Sequence, residues 1–170
     1  AVVYAQTEEQ VAAVLAVAVE RGLAVIPFGG GTSVVGGVEP MGERPTVTLN
    51  LRPMARLLNV DWLAGTATAE AGIMGPELEA QRNAKGLTLG HFPQSFEYST
   101  LGGWIATRSA GQKSTLYGKI EERVQSLRMV YPGGVVVTPP VPAAAAGPDL
   151  AQLIVGSEGE LGVITQATVR

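Results

Sequence analysis

The chain has 170 residues, of which 46% are hydrophobic and 16% are charged, which indicates a folded domain large enough to bury a core. Its net charge of −3 at pH 7 disfavours nucleic acid as a partner, because nucleic-acid binding usually needs a basic surface. With no cysteine, the chain cannot form disulfides, zinc–thiolate sites or a cysteine nucleophile. The sequence shows no membrane span and no signal peptide, and we therefore expect a cytoplasmic protein.

The first segments predict a strand, a helix and a second strand. Residues 2–5 form the first strand, and the pair Thr7 and Gln10 then makes a capping box at the start of the helix. The helix ends near Gly22, a typical C′ residue, and its apolar stripe consists of Val11, Val14, Leu15 and Ala18. A second strand over residues 23–27 completes a compact βαβ unit.

The loop that follows, residues 27–37, contains three consecutive glycines and then Thr32 and Ser33. Glycine permits positive φ and close approach of the backbone, and several N–H groups with two hydroxyls suit phosphate oxygens. Taken alone, the loop is more typical of a flexible surface turn than of a ligand site. It lacks the Lys-Ser or Lys-Thr of a nucleoside-triphosphate P-loop, and its spacing matches a Rossmann dinucleotide site poorly.

The middle of the chain predicts antiparallel strands with inserted helices, which makes the fold class α+β. Strands are expected over residues 46–51, 57–61 and 66–70, with the last two joined as a hairpin. A helix begins at Gly75-Pro76 and ends at Gly86. We expect a sub-domain seam near residues 52–56.

Residues 90–111 are polar and rich in glycine, and we expect them to lie outside the core although they contain Trp104 and Ile105. A loop that enters a short helix near Thr100 fits this pattern best. Gly102 and Gly103 would then let a ligand lie against the start of the helix.

The last third of the chain predicts strands over residues 124–131, 135–138 and 163–169. A low-complexity surface connection covers residues 139–148, and Asp149 caps a short helix that ends at Ile154. A third glycine-rich turn, residues 156–162, precedes the last strand. Three such turns suggest an extended ligand with phosphates at one end and a flat apolar body elsewhere, although three unrelated turns would give the same pattern.

Together, these segments resemble the FAD-binding domain of the vanillyl-alcohol oxidase and p-cresol methylhydroxylase (PCMH-type) superfamily. Residues 27–33 are similar to its Pro-x-Gly-Gly-Gly-Thr-Ser pyrophosphate loop, and residues 156–164 to its Gly-Ser-Glu-Gly-Thr-Leu-Gly-Val-Ile signature. Residues 90–111 and 116–122 most resemble the alkyldihydroxyacetonephosphate synthase (alkylglycerone-phosphate synthase) branch. Gln94 and Glu160 depart from this branch, which usually has Asp and Thr there.

The resemblance implies one PCMH-type domain over residues 1–170, with a small βαβ N-terminal sub-domain and an antiparallel sheet with helices. It implies non-covalent FAD, because relatives with covalent FAD carry His where Thr32 stands. The cofactor-binding residues that it implies are Pro27, Phe28, Gly29, Gly30, Gly31, Thr32, Ser33, Gln94, Ser95, Phe96, Glu97, Tyr98, Ser99, Thr100, Gly102, Gly103, Thr107, Arg108, Ser109, Ala110, Glu158, Gly159, Glu160, Leu161, Gly162, Val163 and Ile164.

The activity implied by the resemblance is the flavin-dependent exchange of an acyl chain for a fatty alcohol in ether lipid synthesis, without net redox change. Two alternatives stay open: an FAD-dependent 2-hydroxy-acid dehydrogenase of the D-lactate or glycolate type, and an FAD-binding module without a reaction of its own. In relatives a C-terminal substrate domain follows, so we expect this chain to bind FAD but to be inactive alone, with no catalytic residue. A homodimer of the parent protein is left open.

The remaining candidate residues carry weaker signals. His91 is the only histidine, which is too few ligands for a metal site and favours a loop or packing role. Arg108 is either a cation facing the cofactor or a solvated helix residue. Ser157 and Glu158 have no histidine nearby in sequence, so a hydrolytic triad is not expected.

Overall fold

The chain folds into two sheets with six helices, in a computed structural model that describes residues 1–142 and 144–170. The elements, in chain order, are β1 (Val2–Tyr4), α1 (Glu8–Arg21), β2 (Ala24–Phe28), β3 (Thr46–Asn50), β4 (Leu57–Asp61), β5 (Thr66–Glu70), α2 (Gly75–Asn83), α3 (Leu101–Ala106), α4 (Ser114–Tyr117), α5 (Ile120–Arg123), β6 (Val124–Tyr131), β7 (Gly134–Val137), α6 (Leu150–Ile154) and β8 (Val163–Val169). The α+β prediction is confirmed. Over the ranges described, none of the helices has the length and apolar character that a membrane crossing requires.

Helix α1 forms for the reasons that its sequence predicts. The Thr7 hydroxyl accepts a hydrogen bond from the Gln10 backbone N–H at 3.3 Å. The Gln10 side chain in turn accepts from the Gln6 N–H at 2.7 Å, so the capping box closes one residue earlier than expected. Gly22 ends the helix in the left-handed conformation, with φ of 65°. The buried residues of the helix, Val11, Leu15 and Ala18, belong to the predicted stripe.

The first sheet is parallel and has the strand order β1-β3-β2. Thr48 of β3 lies opposite Val2 of β1 on one side and Ile26 of β2 on the other. The predicted βαβ unit is confirmed, since β1, α1 and β2 follow in this order and both strands lie in the parallel sheet. Its two strands are not neighbours, because β3 lies between them and is parallel to both.

The second sheet is antiparallel and has the strand order β4-β5-β8-β6-β7. The chain passes from the first sheet to the second between Asn50 and Leu57, the region where the seam is expected. The last strand, β8, lies in the centre of this sheet between β5 and β6. The segment that precedes β8 is therefore attached to the central strand of this sheet.

The main core lies between the antiparallel sheet and its helices, and α3 is part of it. Leu101, Trp104 and Ile105 are all at most 2% exposed, so the expectation that residues 90–111 lie outside the core is wrong for α3. The polar atoms there find partners locally, since the Trp104 indole N–H donates to the Ser99 hydroxyl at 2.7 Å. Helices α4 and α5 were not predicted from the sequence.

A smaller core joins the two sheets through α1. Val11 and Leu15 of α1 pack with Val130 of β6 and Val163 of β8. At its edge, Arg128 Nη2 donates to Glu8 Oε1 at 2.6 Å, and the Thr165 hydroxyl donates to Glu8 Oε2 at 2.8 Å. The hydrogen bond from Arg128 lowers the pKa of Glu8 below its usual value.

The predicted surface connection is exposed over residues 139–142 and 144–148, and its remaining residue, Ala143, lies outside the described residues. Asp149 then caps α6, as predicted, by accepting hydrogen bonds from the N–H groups of Ala151 and Gln152 at 2.9 and 3.2 Å.

Candidate functional site

The three glycine-rich segments line one groove at the junction of the two sheets. Its main part has a volume of about 340 Å³, and a recess of about 70 Å³ adjoins it. Pro27 of the first segment and Gly159 of the third lie against each other, since a Cβ on Gly159 would be 3.2 Å from the Pro27 ring. The predicted site residues that line the groove or the recess are Pro27, Phe28, Gly29, Gly30, Gly31, Thr32, Ser33, Ser95, Ser99, Thr100, Gly102, Gly103, Thr107, Ser109, Glu158, Gly159, Gly162 and Ile164.

The first loop lines the groove and has uncommitted hydrogen-bond donors. Among the described residues, the backbone N–H groups of residues 30–33 donate to no protein acceptor. The hydroxyls of Thr32 and Ser33 likewise make no hydrogen bond within the part of the chain that the structure describes. Gly31, with φ of 66°, turns the loop at this point. Such a set of free amides and hydroxyls can bind phosphate oxygens.

At the start of α3, in contrast, the first three backbone N–H groups all donate within the protein. The N–H of Leu101 donates to the Ile73 carbonyl at 3.0 Å, and that of Gly102 to the Ala71 carbonyl at 2.8 Å. The N–H of Gly103 is capped by the Thr100 hydroxyl at 3.3 Å. The backbone donors that stay free for an anion are therefore those of the first loop and not those at the amino terminus of α3.

The glycines of the groove fall into two groups. A Cβ on Gly30 would collide with the Tyr98 carbonyl oxygen and lie 2.9 Å from the Ser99 Cα, and a Cβ on Gly102 would lie 2.7 Å from the Ala71 Cβ. These glycines let protein segments pack together. A Cβ on Gly103 would meet only the Thr100 hydroxyl, at 3.3 Å, so this position faces the groove.

The third glycine segment is fixed by the carboxyl end of α3. The N–H of Gly156 donates to the Ile105 carbonyl at 2.9 Å, and the N–H of Glu158 donates to the Ala106 carbonyl at 3.0 Å. These bonds satisfy carbonyls that a helix end leaves free. They place the Glu158 side chain at the point where the groove meets its recess.

The groove contains no cationic side chain among the described residues that line it. Arg108, one of the predicted cofactor contacts, has its guanidinium elsewhere: Nη2 donates to the Gln152 carbonyl at 2.8 Å, and Nη1 lies 3.9 Å from a Glu121 carboxylate oxygen. The structure thus places this charge against α6. The donors that the described lining residues offer to a ligand are therefore uncharged.

A buried aromatic cluster supports one wall of the groove. His91 is 2% exposed, and its ring lies edge-on to Trp104 with a centroid distance of 5.0 Å. Its Nε2 lies 3.1 Å from the hydroxyl of Ser109, which lines the groove, whereas Nδ1 has no partner in the described part of the chain. Burial lowers the pKa of His91 to about 4, and the charge of Arg123 acts in the same direction. His91 is therefore a neutral packing residue at pH 7, consistent with the role that the sequence favours.

Several other predicted contacts do not line the groove. Those exposed to solvent are Gln94, Glu97, Tyr98, Ala110, Glu160 and Leu161. Phe96 stacks on Trp104 with a centroid distance of 6.2 Å, and Val163 is buried in the smaller core. Within the segment 94–99, only Ser95 and Ser99 therefore line the groove.

The sequence analysis missed several groove residues, namely Val34, Gly37, Val38, Leu51, Ala71, Trp104 and Ala106. Val34 and Gly37 belong to the predicted loop 27–37 but lie beyond Ser33, the last of its expected cofactor contacts, and Val38 follows that loop directly. Leu51 and Ala71 carry no comparable signal, because they are small or apolar residues at strand ends. Over the described ranges, no group of three or more His, Asp or Glu side chains could hold a metal ion.

Comparisons with known proteins agree with this geometry. Residues 1–139 match the family described as FAD binding domain. The chain is 41% identical over 173 residues to alkyldihydroxyacetonephosphate synthase from Trypanosoma brucei brucei, covering 100% of this chain and 28% of that protein. It is 43% identical over 170 residues to the synthase of the same name from Dictyostelium discoideum, covering 99% of this chain and 28% of that protein.

More distant similarity extends to dehydrogenases. The mitochondrial D-lactate dehydrogenase [cytochrome] 1 of Saccharomyces cerevisiae is 33% identical over 172 residues, with 99% of this chain and 29% of that protein covered. A solved structure of an alkyldihydroxyacetonephosphate synthase superposes with a TM-score of 0.93 at 43% identity, covering 99% of this chain and 30% of that one. The chain thus spans less than a third of the length of these relatives.

Proposed function

Since this chain belongs to the FAD binding domain family, we propose that its groove binds FAD non-covalently as part of a larger flavoenzyme. The observation that carries the proposal is the set of free N–H groups at residues 30–33, beside a groove formed by all three glycine-rich segments. Bound FAD supplies the electron-transfer chemistry, and the residues of this chain bind and orient it.

The residues present fit this cofactor. A diphosphate needs several hydrogen-bond donors, and the free amides of the first loop and the hydroxyls of Thr32 and Ser33 support this assignment. A flat ring needs a wall without side chains, which Gly103 provides on the groove side of α3. No histidine lines the groove within the described residues, which is consistent with non-covalent binding.

We further propose that the parent protein is a synthase of the alkyldihydroxyacetonephosphate type, which exchanges an acyl chain for a fatty alcohol. The support is the identity of 41% and 43% to two such synthases across almost the whole chain, compared with 33% to the yeast D-lactate dehydrogenase. On this proposal, the substrate contacts lie in a further domain of the parent protein, and the present chain positions FAD for it.

Flavin spectroscopy of the full-length protein tests both levels of the proposal. Titration with FAD should give a saturable change in visible absorbance and in tryptophan fluorescence; absence of FAD uptake would refute the cofactor assignment. Anaerobic addition of an acyl-dihydroxyacetone phosphate should bleach the bound flavin, whereas D-lactate or glycolate should not. The reverse pattern would identify a 2-hydroxy-acid dehydrogenase, and tight FAD binding without bleaching by either substrate would indicate a binding module.

A further inference from the structure

Three arginine side chains lie near one another at the end of β8 that is farthest from the groove. Arg82 of α2 donates from Nη1 to the Val169 carbonyl at 3.2 Å, and the Arg170 N–H donates to the Arg123 carbonyl at 2.9 Å. Arg123 and Arg170 also line a cavity of about 40 Å³. Burial lowers the pKa of Arg123, and the charge of Arg170 acts in the same direction. We call Arg82, Arg123 and Arg170 the arginine cluster.

The arginine cluster carries positive charge that the described part of the chain does not pair. None of its three guanidinium groups forms an ion pair with a described carboxylate. Arg82 is 1% exposed, yet its hydrogen bonds go only to the neutral carbonyls of Thr88 and Val169. The Nε atoms of Arg82 and Arg123 are buried without a partner among the described residues. Because a buried cation without an acceptor is costly, the cluster favours a negatively charged partner.

The carboxylates near the cluster already have other partners. Glu79 Oε2 accepts from the Leu89 N–H at 3.1 Å, and Glu79 Oε1 is bonded to the Thr88 hydroxyl. Glu122, which lines the cavity, accepts from the Lys119 N–H at 3.2 Å. Neither carboxylate lies within ion-pair distance of an arginine of the cluster. A partner for the cluster therefore has to come from outside these residues.

The same cavity also contains a free hydrogen-bond acceptor. Gln125 lines it, and its Nε2 donates to the Pro140 carbonyl at 3.1 Å, whereas its Oε1 is buried without a partner in the described part of the chain. The occupant thus has to supply oxygens for the guanidinium groups and an N–H group for this amide oxygen. A polypeptide with an acidic side chain supplies both, whereas an inorganic anion supplies mainly acceptors.

The position of the cluster indicates which polypeptide can reach it. The match to the Trypanosoma brucei brucei synthase extends over the whole of this chain but over only 28% of that protein. In the proposed larger parent protein, the polypeptide that continues from Arg170 starts beside the cluster, so little chain entropy is lost when it docks there. We propose that the polypeptide following Arg170 in the parent protein docks on the arginine cluster through an aspartate or glutamate carboxylate. This inference rests on the larger parent protein of the proposed function and not on its FAD site.

Chemical crosslinking of the full-length protein tests the proposal. Arg123→Lys keeps the charge and introduces a primary amine, which a water-soluble carbodiimide couples to a carboxylate in direct contact. Mass spectrometry of the digested protein should find residue 123 joined to an aspartate or glutamate beyond residue 170, in a product that runs as a monomer on a denaturing gel. Arg21→Lys is the matched control, at an exposed arginine of α1 that forms no ion pair with a described residue, and it should not be joined to that carboxylate.

Hydrogen–deuterium exchange of the full-length protein gives an independent measurement. Arg123→Gln removes the charge, and exchange of the backbone amides in the docked segment should become roughly 10- to 100-fold faster, as expected for the loss of a hydrogen bond between charged groups. Arg21→Gln should leave that exchange unchanged.

The possible results distinguish this interface from its alternatives. A crosslink from residue 123 only to Glu79 or Glu122, or no crosslink at all, would overturn the proposal. A covalent dimer would also overturn it, because the carboxylate would then belong to a second copy of the protein. Stabilisation of the wild type but not of Arg123→Gln by inorganic phosphate, without a crosslink beyond residue 170, would indicate an anion site instead. Failure of the wild type to take up FAD would overturn the proposed function and leave this inference standing.

Discussion

Replacing Gly103 by alanine should separate ligand binding from folding. The new Cβ would meet only the Thr100 hydroxyl, at 3.3 Å, and would otherwise project into the groove. Alanine is favoured over glycine inside a helix by up to about 1 kcal/mol, and the tight contact with Thr100 reduces that gain. We therefore expect a change of about 0 to 1 kcal/mol in the free energy of unfolding, in the stabilising direction. FAD affinity should fall by roughly 10-fold or more, because overpacking a close contact typically costs about 1–3 kcal/mol.

Gly102→Ala is the matched control, one residue earlier in α3. Here the Cβ would lie 2.7 Å from the Ala71 Cβ and 3.0 Å from the Ala71 carbonyl oxygen, in contact with protein rather than ligand. It should lower the free energy of unfolding by about 1–3 kcal/mol. Urea unfolding of the FAD-free protein measures stability, and titration calorimetry with FAD measures affinity.

The reasoning fails if Gly103→Ala keeps FAD affinity within about twofold of wild type while it is as stable or more stable. That result would show that no ligand lies against this face of α3. If Gly103→Ala were instead as destabilised as Gly102→Ala, both glycines would serve packing, and the division of roles between them would be wrong.

Three further variants test other parts of the structure. Gly30→Val should abolish FAD retention because the side chain collides with the Tyr98 carbonyl and displaces the first loop; a variant that still retains stoichiometric FAD by absorbance would contradict this. Glu8→Gln should lower the free energy of unfolding at pH 7 by about 1 kcal/mol, because the variant loses the ionic hydrogen bond to Arg128. Since folding lowers the pKa of Glu8, this stabilisation is present above the usual pKa of 4.5 and disappears as the pH falls below it. Urea unfolding of wild type and variant should therefore give the same free energy at acidic pH. Folding lowers the pKa of His91 from 6.5 to about 4, so between these values the unfolded chain binds a proton that the folded chain does not. Relative to His91→Gln, the wild type should therefore lose about 2 kcal/mol of unfolding free energy between pH 7 and pH 5. Parallel plots of unfolding free energy against pH for the two proteins would rule this out.

Local sequence signals were sufficient for elements whose boundaries depend on local chemistry. The ends of α1 follow from the Thr7 hydroxyl and from Gly22, which act on backbone groups within one turn. The β4–β5 hairpin and the Asp149 cap of α6 were predictable for the same reason. In each case the residues that determine the structure are adjacent in sequence.

The features that the sequence did not reveal depend on distant partners. β3 lies between β1 and β2 because its two edges pair with strands at least 18 residues earlier, and alternation within β3 carries no information about its neighbours. The burial of α3 was missed because the segment is polar, yet two of its buried rings find polar partners within the fold: the Trp104 indole N–H donates to Ser99, and His91 Nε2 lies 3.1 Å from the Ser109 hydroxyl. The direction of Arg108 was likewise open, since Gln152 lies 44 residues away.

The glycine pattern located the groove, although it could not say which glycines face the ligand. Gly30 and Gly102 are required by contacts between protein segments, whereas Gly103 and Gly37 have little protein against them. The glycines that pack against protein determine where the groups that face the ligand lie. The free amides of the first loop have their position only because Gly30 lies directly on the Tyr98–Ser99 backbone, which belongs to the other part of the fold.

This arrangement couples cofactor binding to the joint between the two sheets. The first loop follows β2 of the parallel sheet, and Glu158 precedes β8 of the antiparallel sheet. A ligand that contacts both therefore adds to the interactions at the joint that α1 already provides through Val11, Leu15 and the Glu8–Arg128 bond. Since a ligand stabilises only the state in which its contacts exist together, FAD should raise the unfolding temperature of the whole chain in one transition, by an amount that grows with FAD concentration.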